Sequence, residues 1–223
     1  MECKFQNWYA RSMQTGAPLS TSGGRLTAKG RATRDRIVGV ASTLMLRQGV
    51  ARTTIEDIQN EARVSASQLY HYFADKGAIV HAVIERLTND VLGFQRIVLD
   101  RLDSFAALKE WRDMVVGFQK QRSCAGGCPL GTLSSELSES DPAARGELAA
   151  SFGLWEDLLR SGLAAMRSRG ELVPEADTDR LGLALLAAVQ GGLLLSQARR
   201  DTLPLEVAID TSIDHLRSFA PPV

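Results

Sequence analysis

Between Ser65 and Lys76 the chain collects side chains that hydrogen-bond rather than react: Ser65, Ser67, Gln68, Tyr70, His71, Tyr72 and Lys76. A carboxamide reads adenine edges, while hydroxyls and an ammonium at a helix N-terminus bind phosphate oxygens. Other reactive groupings are sparse. Cys124 and Cys128 are separated by Ala-Gly-Gly, and the histidines are His71, His81 and His215. A zinc centre needs about four ligands at recognisable spacing, so neither a metal site nor a cofactor is expected. A thiol near a helix start has a lowered pKa in some settings, which leaves a thiol or electrophile sensor using Cys124 and Cys128 as an alternative. The serines lack a His and Asp framework and no Gly-rich loop follows a strand, so an enzyme is not expected. Trp111, Met114, Phe118, Phe152 and Trp155 recur at helical spacing. They read first as core and second as the wall of an apolar ligand pocket, with Cys128 beside it and Gln119, Ser134 and Gln190 as polar anchors.

Helices must position all of these. Ile37, Val40, Ala41, Leu44 and Met45 give one apolar face to a helix over residues 27–48, stopped at Gly49. Thr53 followed by Glu56 predicts a capping box for a short helix with Ile55, Ile58 and Ala62 inward. Ser65 and Gln68 repeat the box for a second short helix carrying Leu69 and Phe73, and Arg63 and Val64 alone lie between the two. Two short capped helices joined by a tight turn, after a longer apolar helix, form a helix-turn-helix candidate. The second is small enough to lie in a major groove. Asp75 caps the next helix, which carries Ile79, Val80, Val83, Ile84 and Leu87. Helices are also predicted over 104–122, 129–138, 142–170, 178–200 and 204–218, with the break Gly126-Gly127-Cys128-Pro129 between the first two. No alternating apolar run occurs, so the fold class is all-α.

The 223 residues and 24.2 kDa suffice for one or two domains with a sizeable core. The net charge is zero, but it is unevenly placed: residues 25–87 carry ten basic and six acidic side chains, and residues 88–223 carry 14 and 19. A basic third joined to an acidic remainder fits one part meeting a polyanion. Arg25, Lys29 and Arg31 extend that basic segment as a candidate phosphate or minor-groove arm. Residues 1–26 mix Gln, Thr, Ser, Gly and Pro18 and read as a flexible tail. Their start has no continuous apolar stretch, so no secretory leader is expected. The longest apolar run, Leu181–Ser196, is 16 residues and shorter than a membrane span requires; a cytoplasmic protein without membrane contact is the expectation.

Thr53-Thr54-Ile55-Glu56-Asp57-Ile58, Val64-Ser65 and Leu69-Tyr70-His71-Tyr72-Phe73-Ala74-Asp75-Lys76, preceded by Gly30-Arg31-Ala32-Thr33-Arg34-Asp35-Arg36-Ile37, resemble the DNA-binding domain of TetR-family transcriptional regulators. The resemblance implies a flexible tail over 1–26, a helix-turn-helix domain over 27–87, and a larger helical ligand-binding and dimerisation domain over 88–223. It implies a homodimer on a palindromic operator in double-stranded DNA. The DNA contacts it implies are Lys76, Tyr70 and Tyr72 on phosphate, and Thr54, Ser67 and Gln68 on bases or backbone. Gly127-Cys128-Pro129-Leu130-Gly131-Thr132-Leu133-Ser134-Ser135-Glu136 is similar to a subgroup containing the lincomycin-resistance repressor and its relatives. A ligand-responsive repressor is the expectation, with a small apolar effector expected from the aromatic and Met side chains around the Gly-Gly-Cys-Pro break; a binding module without DNA function is the rival. Two residues depart from the family pattern. Gln59 stands where Ala is usual. Arg63 stands where Gly eases a left-handed turn, costing an L-residue about 1 kcal/mol if that turn is kept.

Overall fold

A computed structural model describes residues 26–222. The tail over residues 1–25, and Arg25 of the candidate arm, lie outside the described residues. Within them the chain is wholly helical.

Helix α1 (Ala28–Gln48) starts at Thr27, whose hydroxyl accepts the Gly30 N–H, and buries Ile37, Val38, Ala41, Leu44 and Met45. Gly49 ends it at φ 90°, a conformation open to glycine. Helix α2 (Ile55–Ala62) carries a capping box one residue later than the sequence suggests. Thr54 accepts from the Asp57 N–H and Asp57 accepts from the Thr54 N–H. That bond holds the Asp57 carboxyl below the ordinary carboxylate range. Thr53 is instead fully buried, and its hydroxyl donates to the Gly49 carbonyl at 2.8 Å. The Ser65–Gln68 box opens helix α3 (Ala66–Tyr72) as expected.

Arg63 joins α2 to α3 in the left-handed region, at φ 51° and ψ 54°. The family-type turn is therefore kept despite the side chain. Arg63→Gly should raise stability by up to about 1 kcal/mol, the strain removed less the entropy glycine adds. Urea unfolding of the two proteins measures it, and an unchanged or lower midpoint refutes the strain argument. The end of α2 is also tied to α1, because Arg36 Nε donates to the Ala62 carbonyl at 3.0 Å.

Helix α4 (Lys76–Leu99) is capped by Asp75, which accepts the Ala78 N–H. Helices α5 (Phe105–Gln121), α6 (Pro129–Leu137), α7 (Pro142–Ser168), α8 (Thr178–Arg199) and α9 (Leu203–Arg217) follow. Contacts divide the chain into two compact units. One comprises the residues up to Val91 together with Leu133–Leu148; the other comprises Leu92–Thr132 and Ala149 onward. This differs from the boundary at residue 87 read from the sequence. Leu133, Leu137, Ala144 and Leu148 are buried, and their segment packs with the N-terminal helices. Glu147 lies 3.0 Å from Nδ1 of His81 on α4 within that unit.

In the second unit Trp111, Trp155, Leu159, Leu163 and Met166 are buried. The Trp111 indole N–H donates to Gln95 Oε1 at 2.6 Å. Arg112 on α5 forks onto Asp210 of α9 at 2.8 and 2.7 Å and reaches Glu206 at 3.3 Å. These carboxylates raise the guanidinium pKa further, Asp210 most. Helix α8 is long and apolar enough to cross a membrane by length and composition alone. Its Leu181, Leu185, Leu186, Val189 and Leu193 are nevertheless buried within the chain. Gly192 shows why α8 and α9 approach closely: a Cβ there would sit 2.9 Å from Leu205 Cα.

Candidate DNA-reading surface and helical ligand-binding unit

Helix α3 presents the predicted residues as one surface. Leu69 is fully buried and anchors it, whereas Ser65, Ser67, Gln68, Tyr70 and His71 are exposed and Tyr72 is half-buried. Seven residues fit one apolar anchor per two turns, so the remaining faces are free for polar contacts. Tyr70 is 53% exposed, a large aromatic left in water beside a row of polar groups. His71 and Tyr72 pack edge to face at 4.9 Å. Phe73 is buried below Arg34, whose guanidinium lies 5.3 Å over the ring.

Gln68 has a local duty as well, since its Oε1 accepts the Ser65 N–H at 3.0 Å. Its Nε2 can donate to an acceptor outside the chain while the box stays intact. Thr54 is exposed at the start of α2, with its hydroxyl oxygen accepting from Asp57. Lys76 is half-buried, and its Nζ donates to the Val50 carbonyl at 2.6 Å, with Ala51 O at 3.5 Å. The ammonium is thus fixed against the turn between α1 and α2 rather than swinging free, which spacing alone does not reveal. The end of α1 and the starts of α2 and α4 meet at that turn.

The residues read as a pocket wall divide by environment. Trp111 and Trp155 are buried, while Met114, Phe118, Cys128, Phe152 and Gln190 are half-buried. Trp111 spends its N–H on Gln95. The Trp155 indole N–H and the Gln190 amide nitrogen are buried with no hydrogen-bond partner in the protein. Gly182 on α8 abuts the backbone of Arg160 on α7, where a Cβ would stand 3.3 Å from the Arg160 nitrogen. These helices are joined by a short loop over residues 169–177. Gln190 reaches the α6 start, with its Oε1 3.3 Å from where a Cβ on Gly131 would be.

Cys128 Sγ accepts the Gly131 N–H at 3.5 Å. Burial pushes the Cys128 thiol pKa up, against smaller opposing contributions from Gly131 and Gln190. Burial likewise raises the Cys124 pKa. Fewer thiolates at neutral pH make poorer nucleophiles. Among the described residues no group of three or more His, Cys, Asp or Glu side chains is placed to hold a metal ion.

Sequence reasoning missed two contacts that frame the reading surface: the Arg36–Ala62 anchor and a bond from the Ala51 N–H to Glu136 Oε1 at 2.8 Å. The second joins residues 85 positions apart, and no local pattern signals it.

Two family descriptions match the chain: "Bacterial regulatory proteins, tetR family" over residues 37–83, and "Transcriptional regulator LmrA/YxaF-like, C-terminal domain" over residues 104–211. An uncharacterised HTH-type transcriptional regulator in the lacX 3′ region of Lactococcus lactis subsp. lactis is 31% identical over 185 residues, covering 81% of this chain and 91% of that protein. The HTH-type transcriptional repressor KstR2 of Rhodococcus jostii is 32% identical over 77 residues, covering 34% of this chain and 38% of its own. A crystal structure of a TetR transcriptional regulator from Chloroflexus aurantiacus superposes with a TM-score of 0.73 at 25% identity, covering 85% of this chain and 96% of that one.

Proposed function

The chain belongs to the TetR family of HTH-type transcriptional regulators, and on that premise we propose a homodimeric repressor released from a palindromic operator by a small apolar effector. The observation that carries the DNA part is α3: one buried anchor, two reciprocal capping bonds, and an otherwise exposed polar face. Residues 27–87 are assigned as the reader and 88–223 as the part that binds effector and dimerises. Thr54, Ser65, Ser67, Gln68, Tyr70, His71, Tyr72 and Lys76 are the proposed DNA contacts. Bases are read by Gln68 and Ser67, and phosphates are held by the tyrosines and Lys76. The protein acts in the cytoplasm, where bacterial operators are.

The effector reading rests on the second unit. Met114, Phe118, Phe152 and Trp155 supply apolar wall, and Cys128 and Gln190 lie where α6 begins. The unpartnered Trp155 and Gln190 groups are both donors. They favour an aromatic molecule bearing acceptor oxygens over a pure hydrocarbon. The mechanism is a population shift: the effector favours a dimer whose two α3 helices no longer match adjacent major grooves. A change from 99:1 to 1:99 requires about 5.5 kcal/mol of differential effector binding.

Fluorescence anisotropy and footprinting with the DNA upstream of its own gene test the reading. Two protected half-sites should lie about 10–10.5 base pairs apart, or a multiple of that, with random duplex bound at least about a thousandfold more weakly. A panel of aromatic carbonyl compounds should contain members that release the DNA and quench tryptophan emission. Equal affinity for random and palindromic DNA would refute the reader assignment. Release by electrophiles alone, abolished in Cys128→Ser, would refute reversible effector binding.

A further inference from the structure

Glu136 is the single acidic residue of α6, and nothing in the reading surface itself requires it. Within the N-terminal unit its carboxylate nevertheless enters the turn between α1 and α2. Oε1 accepts the Ala51 N–H at 2.8 Å. Both oxygens also pack against Gly49: a Cβ there would stand 3.2 Å from Oε1 and 3.4 Å from Oε2. Gly49 is therefore needed twice, for its φ of 90° and for the room it leaves the carboxylate.

The same few residues support the DNA-facing groups. Val50 O and Ala51 O receive Lys76 Nζ at the start of α4. Gly49 O receives the Thr53 hydroxyl, and the Thr53 N–H donates to Val50 O. Thr54, next in the chain, is the N-cap of α2. The turn has three kinds of tether: an ammonium on its carbonyls, a threonine closing it, and one side-chain acceptor for the Ala51 N–H. That acceptor comes from neither the helix-turn-helix nor α4, but from a segment 85 positions away.

The geometry points to Glu136 as a positioning residue for DNA reading: its carboxylate fixes the 49–51 turn, and through it the Thr54 cap of α2 and the Lys76 ammonium, in the arrangement that meets the operator. This inference rests on the proposed DNA-binding function. It adds that a side chain of α6, outside the reader, sets operator affinity without touching DNA. The role needs an acceptor at Oε1 rather than a negative charge, so glutamine should serve and leucine should not.

The test compares the full-length protein with Glu136→Gln and Glu136→Leu. The readouts are operator affinity, random-duplex affinity, thermal midpoint and hydrogen exchange at the Ala51 amide. Glu136→Leu should bind operator about tenfold more weakly, equivalent to about 1.4 kcal/mol, with a smaller loss on random duplex through the displaced Lys76 ammonium, and the Ala51 amide should exchange faster. Glu136→Gln should restore both operator affinity and slow exchange. Gly49→Ala should reproduce the Glu136→Leu operator defect, since it displaces the carboxylate. Wild-type operator affinity in Glu136→Leu overturns the inference, as does a Glu136→Gln protein as defective as Glu136→Leu. If the wild type discriminates no operator, the DNA-reading proposal itself fails. The exchange measurement then still decides whether Glu136 holds the turn, and unchanged exchange in Glu136→Leu overturns that too.

Discussion

Leu194→Glu should convert a dimer into a monomer in sedimentation at micromolar concentration and weaken operator binding by about a hundredfold or more, the avidity lost when two linked half-site contacts become one. The reason lies in which leucines of α8 the chain buries for itself. Leu181, Leu185, Leu186, Val189, Leu193 and Leu194 read in sequence as a stripe too wide for one monomer, yet all but Leu194 are at most 6% exposed within the single chain. The unsatisfied apolar surface is a different set: Leu194 is 65% exposed, Leu183 53% and Leu195 49% on α8, with Leu203 57% and Val207 54% on α9. Residues 183, 187, 191, 194 and 198 recur at i+3 and i+4, a single face with the small Ala187, Gly191 and Ala198 between the leucines. Contiguous exposed apolar surface of this kind marks an interface. Burying one leucine contributes about 1.5–3 kcal/mol, and a glutamate placed there is a charge without a partner. Gly192→Glu, a substitution on the same helix, is the wrong probe. Its Cβ would meet Leu205 Cα at 2.9 Å, so it should unfold the α8–α9 pair instead of separating protomers. A Leu194→Glu protein that remains dimeric, or a wild type that is monomeric, would refute the assignment.

Lys76→Met should weaken binding to every DNA sequence and lower stability together. The ammonium serves the Val50 and Ala51 carbonyls at 2.6 and 3.5 Å, and hydrogen bonds to a charged group are worth about 1.5–3 kcal/mol when one partner is removed. A drop of about that size in urea-unfolding free energy is expected. Nζ has one further proton to offer, and it lies at the first residue of α4, where backbone N–H groups add to the attraction for a phosphate. Losing one phosphate contact should flatten the dependence of log affinity on log salt by about 0.9. An unaltered salt slope with lowered stability would show that Lys76 serves the turn alone. Gln68→Ala, in contrast, should leave the salt slope unchanged and relax sequence preference.

The reading helix was legible from residues because its signals are local. Ser65 and Gln68 are three positions apart, the reach over which a hydroxyl and a carboxamide exchange bonds with each other's backbone. The left-handed Arg63 was suggested by the family resemblance, in which Gly is usual there; the two-residue spacing alone did not fix its φ of 51°. The α2 cap shows where locality becomes ambiguous. Thr53 with Glu56 and Thr54 with Asp57 both satisfy the pattern. The choice fell to Thr54 because the Thr53 hydroxyl is buried against Gly49 O, a contact that depends on how α1 ends.

What the sequence alone determined is whatever repeats within one or two helical turns: the all-α class, the ends of most helices to within a residue or two, though α4, read only as far as Leu87, runs on to Leu99, and the exposed polar face of α3. The tertiary structure decided which apolar residues are core and which are surface, because Leu193 and Leu194 are equally hydrophobic and differ only in the side of α8 they occupy. It also decided that Leu133–Leu148 belongs with the N-terminal helices, and that Glu136 and Lys76, far apart in the sequence, meet one turn. Such contacts carry no periodicity. Their partners are chosen by packing between elements far apart in the chain, where shape and burial select among many residues of the same chemistry.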